Sequence, residues 1–148
     1  ALPGGSRDTR STSVADVDGD GFMDVVVGNS NQENQILFGS ADGTTFSVVA
    51  LPGGSRVTRS TSVADVDGDG FMDIVIGNYN VVNYEENQVL FGSADGRTFS
   101  EVALPGGSRK TYSTSVADVD GDGFMDIVLG NYNEENQVLF GSADGRTF

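Results

Sequence analysis

The 148 residues contain no cysteine and no histidine. That excludes disulfides, Cys/His zinc sites and every histidine-dependent triad or general base. With Lys110 the only lysine, the many Ser and Thr hydroxyls have almost nothing to activate them as nucleophiles. The pairs Glu85-Glu86 and Glu134-Glu135 are adjacent in sequence and lie in turns, without the facing geometry of a catalytic carboxylate pair. The expectation is that the chain is not an enzyme. Basic residues are scarce, 8 Lys and Arg against 22 Asp and Glu, for a net charge of -14. A nucleic-acid partner would want a basic face, and anionic lipid would repel such a chain. No run approaches the ~18 apolar residues of a membrane-spanning helix, so no membrane insertion is expected. No stretch has a helical period, and there is no N-x-S/T glycosylation acceptor. The opening Ala1-Leu2-Pro3-Gly4-Gly5 has neither the basic nor the apolar region of a signal peptide, so any such segment has been removed.

What the sequence does contain is one acidic stretch, three times over. Asp65-Val66-Asp67-Gly68-Asp69-Gly70-Phe71-Met72-Asp73 recurs word for word at Asp16 to Asp24 and at Asp118 to Asp126. Four carboxylates in nine residues repel one another unless a cation sits between them. Calcium, a hard ion that takes six to eight oxygens at ~2.3–2.6 Å, is the natural candidate. Asp65, Asp67 and Asp69 can point inward, Gly70 permits the sharp turn, the Phe71 carbonyl can add a backbone oxygen, and Asp73 can close the shell. The equivalent sets are Asp16, Asp18, Asp20, Phe22 and Asp24, and Asp118, Asp120, Asp122, Phe124 and Asp126. An EF-hand would need Glu at position 12, where this chain has Val27, Ile76 or Leu129. The competing reading is an Asp/Gly-rich hairpin turn without metal. The three loops hold twelve of the acids, so three Ca²⁺ would take the formal charge from -14 to -8. Calcium modules of millimolar affinity are an extracellular habit, which points to a secreted or cell-surface location.

The repetition extends beyond the loops. Ala-Leu-Pro-Gly-Gly-Ser-Arg begins at Ala1, Ala50 and Ala103, giving three repeats of approximately 1–49, 50–102 and 103–148. The second is longer by four residues between Asn78 and Asn87. Near-identity of the copies implies recent amplification or engineering. Each repeat reads as four short strands, taking the second as the example. Ser60 to Val66 has small side chains, and the acidic loop is the turn out of it. Ile74 to Gly77 is apolar without alternation, as in a strand covered on both faces. Gln88 to Gly92 is followed by an Asp-Gly turn. Thr98 to Leu104 ends at Pro105, which suits an edge strand. Four antiparallel strands per period of this length is the arithmetic of a β-propeller blade; a two- or three-stranded solenoid is the alternative.

The run Val63 to Asn78, with Asn87-Gln88-Val89-Leu90-Phe91 and Asp95-Gly96-Arg97-Thr98-Phe99, resembles the FG-GAP/VCBS repeat. That family forms calcium-binding β-propellers in integrin α-subunits, in lectins and in secreted bacterial proteins. Arg59-Ser60 and Tyr112-Ser113 stand where the family has Phe-Gly, and Gly77-Asn78-Tyr79 where it has Gly-Ala-Pro. These departures bring the likeness nearer the VCBS type. The resemblance implies an all-β fold of propeller blades, three per chain, serving as a calcium-stabilised scaffold or binding module. It leaves two alternatives, a carbohydrate-binding lectin or adhesion propeller and an accessory propeller of a secreted enzyme. In such a blade the acidic loops share one face of the disc with the Asp-Gly turns. The opposite face collects Asn78, Tyr79, Tyr84, Glu85 and Glu86 from one loop, and Arg56, Arg59, Arg109, Lys110 and Tyr112 from the crossovers. Tyr79, Tyr84, Arg109, Tyr112 and Tyr132 are the candidates for holding a glycan, against the plainer reading of solvated loop residues.

Three blades leave two apolar faces open, and propellers close with typically four to eight blades. The expectation is head-to-tail self-association, with two chains giving six blades. Three chains, giving nine, fall outside the usual range. The competing expectation is that the chain is part of a longer propeller.

Overall fold

The structure, a computed structural model, describes residues 1–79 and 85–148. Tyr84 and the rest of the four-residue insertion lie outside the described residues. All elements are strands: β1 (Thr9–Ala15), β2 (Asp24–Phe38), β3 (Ser47–Ala64), β4 (Asp73–Asn78), β5 (Glu86–Phe91), β6 (Ser100–Ser108), β7 (Thr111–Ala117), β8 (Asp126–Asn131) and β9 (Gln137–Leu139). Every pairing is antiparallel, and no helix occurs among the described residues. The architecture is that of propeller blades standing side by side.

Three strands are longer than the sequence suggests, and β6 is one of them, continuing through Pro105 to Ser108. β2 joins the expected second and third strands of the first repeat, and β3 joins the fourth strand of the first repeat to the first strand of the second, running straight through Pro52. The sheet therefore pairs in the order β1-β2-β3-β4-β5-β6, with β7-β8-β9 separate. The physical reason lies in the crossover. Arg56 and Ser55 pair with Gln32 and Glu33, so the chain keeps a partner between blades instead of looping free. Ser30, Tyr79 and Tyr132 fix the same junction by donating their N–H groups to the carbonyls of Asp8, Val57 and Lys110, each at 2.8 Å. In the third repeat β7, β8 and β9 are the strands formed among the described residues.

The core explains the unbroken apolar run in β4. Ile74 and Ile76 join Val26, Ile36, Phe38 and Leu51 of the first blade, while Val75 faces Ile127 and Leu129 of the third. Side chains alternate across a strand, and in β4 both directions end in a neighbouring blade, so all six of its residues are buried. Polar contacts lock the same interfaces. Ser13 donates its hydroxyl to the Thr61 carbonyl at 2.7 Å, and Ser62 makes the equivalent bond to Thr114 at 2.9 Å. Gly28 and Gly77 leave room for this. A Cβ on Gly77 would lie 2.8 Å from Thr114 Cγ2 and 2.9 Å from Thr111 Cγ2.

Candidate metal centre

Each acidic loop bridges a paired strand end. Ala15 is opposite Asp24, Ala64 opposite Asp73, and Ala117 opposite Asp126. Between these ends the backbone turns twice through positive φ, at 73° on Gly68 and 90° on Gly70, with the other loops alike. The sequence reading placed the turn on the second of these glycines alone; both are needed, because a side chain is strained in that conformation. The turn aims backbone donors inward. Gly70 N–H donates to Asp65 Oδ2 at 3.0 Å and Phe71 N–H to Asp69 Oδ1 at 2.9 Å. Phe22 and Phe124 donate in the same way to Asp20 and Asp122.

The ninth carboxylate does more than close a metal shell. Asp24, Asp73 and Asp126 are fully buried. One oxygen of Asp73 accepts the N–H of Val66 at 2.7 Å and the other that of Gly92 at 2.8 Å, tying the loop to the end of β5. Asp24 and Asp126 do the same with Val17 and Gly39, and with Val119 and Gly141. Burial pushes the Asp73 carboxyl up to about 6 against the pull of those two N–H groups, and the nearby Asp67 charge adds to the rise. Asp24 is raised for the same leading reason. Asp126 is lowered instead, because its bonds from Gly141 and Val119 outweigh the burial where no blade stacks beyond it.

The carboxylates converge. Asp16, Asp18 and Asp24 each bring an oxygen within 4.8 Å of the others, as do Asp65, Asp67 and Asp73. In the third loop the group is Asp118, Asp120 and Asp122, all exposed. Asp20, Asp69 and Asp126 stand outside these groups. The oxygens Asp16 Oδ1 and Asp65 Oδ1 are buried without any hydrogen-bond donor. An ionised oxygen left so costs several kcal/mol unless a cation meets it. The residues thus fit a hard divalent cation, held by Asp16, Asp18 and Asp24 or by Asp65, Asp67 and Asp73, and its chemistry there would be charge neutralisation and loop closure.

The Asp73 shift has a testable sign in metal-free protein. Its folded pKa lies above the ordinary 3.8, so the folded state binds more protons than the unfolded state between about pH 4 and 6, and stability falls as pH rises through that window. Melting followed by circular dichroism in chelator is expected to give a higher midpoint at pH 5 than at pH 7, and Asp73→Asn should flatten the trend.

Two features escape sequence reasoning. Arg97, in the turn after β5, reaches across to the first blade and donates to Asp18 Oδ2 at 2.7 Å, its guanidinium 4.4 Å from the Phe38 ring centre. Arg146 does the same with Asp67 and Phe91. These cations hold the outer oxygens of metal-loop carboxylates, and the acidic loops and Asp-Gly turns therefore do share a face. The turns have their own lock. The Asp42, Asp95 and Asp144 carboxyls are held well below the usual range, first by the hydroxyls of Thr45, Thr98 and Thr147 and then by backbone N–H groups.

At the far end of the strands three of the ligand candidates meet. Tyr79 and Tyr112 have ring centres 5.1 Å apart, and Tyr112 and Tyr132 5.4 Å. Arg59 lies over Tyr79 at 5.1 Å and over Tyr112 at 5.4 Å, with its Nε buried and unpartnered. Arg59 and Tyr112 occupy bulges, at the register shifts between Thr58 and Ser60 and between Thr111 and Ser113. A bulge re-aims a side chain, and a bulge is invisible in sequence. Arg109 is not in this cluster; its Nε donates to the Gly106 carbonyl at 3.2 Å and its guanidinium lies 3.9 Å from Glu134.

Comparison with known proteins adds to this geometry. Residues 3–76 match the family described as FG-GAP-like repeat, and residues 111–140 match the FG-GAP repeat. No curated protein matches the chain.

Proposed function

The chain belongs to the FG-GAP repeat family, and from that premise we propose that it is a calcium-stabilised propeller scaffold and binding module without catalytic activity, nearer the VCBS type and acting outside the cell. No helix among the described residues is long and apolar enough to cross a membrane. The observation that carries the reading is the pair of buried, donorless oxygens on Asp16 and Asp65 within clustered carboxylates. Asp65→Asn tests it. The variant is expected to bind one calcium fewer per chain and to melt lower than the parent in calcium, while in chelator, where the parent's Asp65 oxygen is charged and unpartnered, it should melt no lower than the parent. Equal calcium stoichiometry in variant and parent would remove the second loop from the reading.

A second reading, carbohydrate binding, is favoured by the cluster of Tyr79, Tyr112 and Tyr132 under Arg59. Aromatic plates with hydroxyls, beside a guanidinium, suit a polyol. Tyr112 and Tyr132 are each about half exposed, so the plates are open to a ligand. On a glycan surface that retains the protein, Tyr112→Ala is expected to weaken binding about tenfold with calcium stoichiometry unchanged. Absence of retention on every surface at millimolar concentration would leave the scaffold alone.

A further inference from the structure

The chain contains the same blade-to-blade interface twice, and its two outer faces carry the two halves of a third. The first half is the side a blade offers to its successor. Val17 and Phe38 of the first blade are 4% and 1% exposed, and Val66 and Phe91 of the second are 3% and 1% exposed. Their equivalents in the third blade, Val119 and Phe140, are 53% and 52% exposed. The second half is the side a blade offers to its predecessor. Val63 and Phe99 of the second blade pack into the first interface, and Val116 and Phe148 of the third into the second. Their equivalents in the first blade are Val14, 64% exposed, and Phe46. Val14, Phe22, Met23, Val25 and Phe46 line an open apolar cavity of ≈ 400 Å³ on that face.

The polar contacts are divided between the two outer faces in the same way. Inside the chain, Asn34 donates to Thr58 Oγ1 at 2.9 Å and Asn87 to Thr111 Oγ1 at 2.8 Å. The unmatched members of these series are Asn136 on the third blade and Thr9 on the first, and Asn136 is exposed where Asn34 and Asn87 are buried. The Ser-x-Ser pairs that grip Thr61 and Thr114 leave Ser113 and Ser115 on the third blade and Thr12 on the first. Gly130, unlike Gly28 and Gly77, has no threonine of a following blade against it.

We propose that the outer face of the third blade docks on the outer face of the first blade of a second copy of this chain, in the register of the two internal interfaces. Two copies close a ring of six blades through two such junctions. One contact of the internal pattern is missing there. Arg97 and Arg146 have Thr44 as their equivalent, so Asp120 of the second copy meets no guanidinium. Gly96 and Gly145 lie against Asp18 and Asp67 of the preceding blade, whereas Gly43 meets nothing within 4 Å in the single chain, as an undocked face requires. The junction between copies is therefore the weakest of the ring.

Light scattering with analytical ultracentrifugation of calcium-loaded protein reads the outcome. A dimer of twice 15.5 kDa is expected at micromolar concentration. Phe140→Asp and Val14→Asp, on opposite faces, should each weaken it by at least ~100-fold while the circular dichroism spectrum and calcium stoichiometry of the resulting monomers stay unchanged. Thr44→Arg should tighten it about tenfold by supplying the missing partner for Asp120. A well-folded monomer across the micromolar range, a trimer, an open-ended polymer, or a dimer indifferent to all three substitutions would overturn the proposal. Altered calcium stoichiometry in the parent would strike the metal sites instead, so the two failures are distinguishable.

Discussion

Excess chelator is expected to lower the melting midpoint by ~15 °C or more relative to millimolar calcium. A ligand at a hundred times its dissociation constant stabilises the state it binds by about 2.7 kcal/mol per site. Three occupied loops would contribute roughly 8 kcal/mol, at about 2–4 °C per kcal/mol for a chain of this size. The source of the effect is electrostatic. Without the ion, Asp16, Asp18 and Asp24 hold their oxygens within 4.8 Å of one another, with Arg97 the one facing cation on Asp18 among the described residues. The third loop, exposed and without such an arginine, should lose its metal first. Differential scanning calorimetry with and without chelator checks this, and superimposed curves would mean that the loops are ordinary turns.

Phe38→Ala and Phe91→Ala are expected to lower the midpoint on the order of 10 °C each, independently of protein concentration. Both rings are fully buried between blades, and truncating such a side chain costs about 3–5 kcal/mol in lost burial and cavity formation. Phe140 has the same place in its repeat but is 52% exposed. Phe140→Ala should cost the fold little, and its effect should depend on concentration because it acts through self-association. Equal, concentration-independent losses at all three positions would mean that the third blade is packed like the others within one chain.

Much of this was legible because each repeat writes the same physics three times. The spacing of Asp65, Asp67, Asp69 and Asp73 places carboxylates around one turn, and the β-branched, unalternating run Ile74-Val75-Ile76 fits a strand with neighbours on both sides. The length of β2 and β3 was not legible. It depends on Ser55 and Arg56 finding backbone partners at Gln32 and Glu33, a long-range pairing that no local pattern announces. The double engagement of Asp73 was hidden for a similar reason, since its second donor, Gly92, lies 19 residues away. The Tyr79, Tyr112 and Tyr132 cluster needs two bulges and a blade interface to assemble. Thr44 was the one readable hint of the arginine contacts, a departure from Arg97 and Arg146 in otherwise matching turns. Its meaning appears only when Arg97 is seen against Asp18.

Calcium titration by isothermal calorimetry, with equilibrium dialysis for the count, reads the central claim most directly. Three ions per chain are expected at neutral pH, the two inner loops tighter than the third, with Asp65→Asn binding two. Fewer than two ions bound at millimolar calcium by a chain that is folded in the same buffer would contradict it.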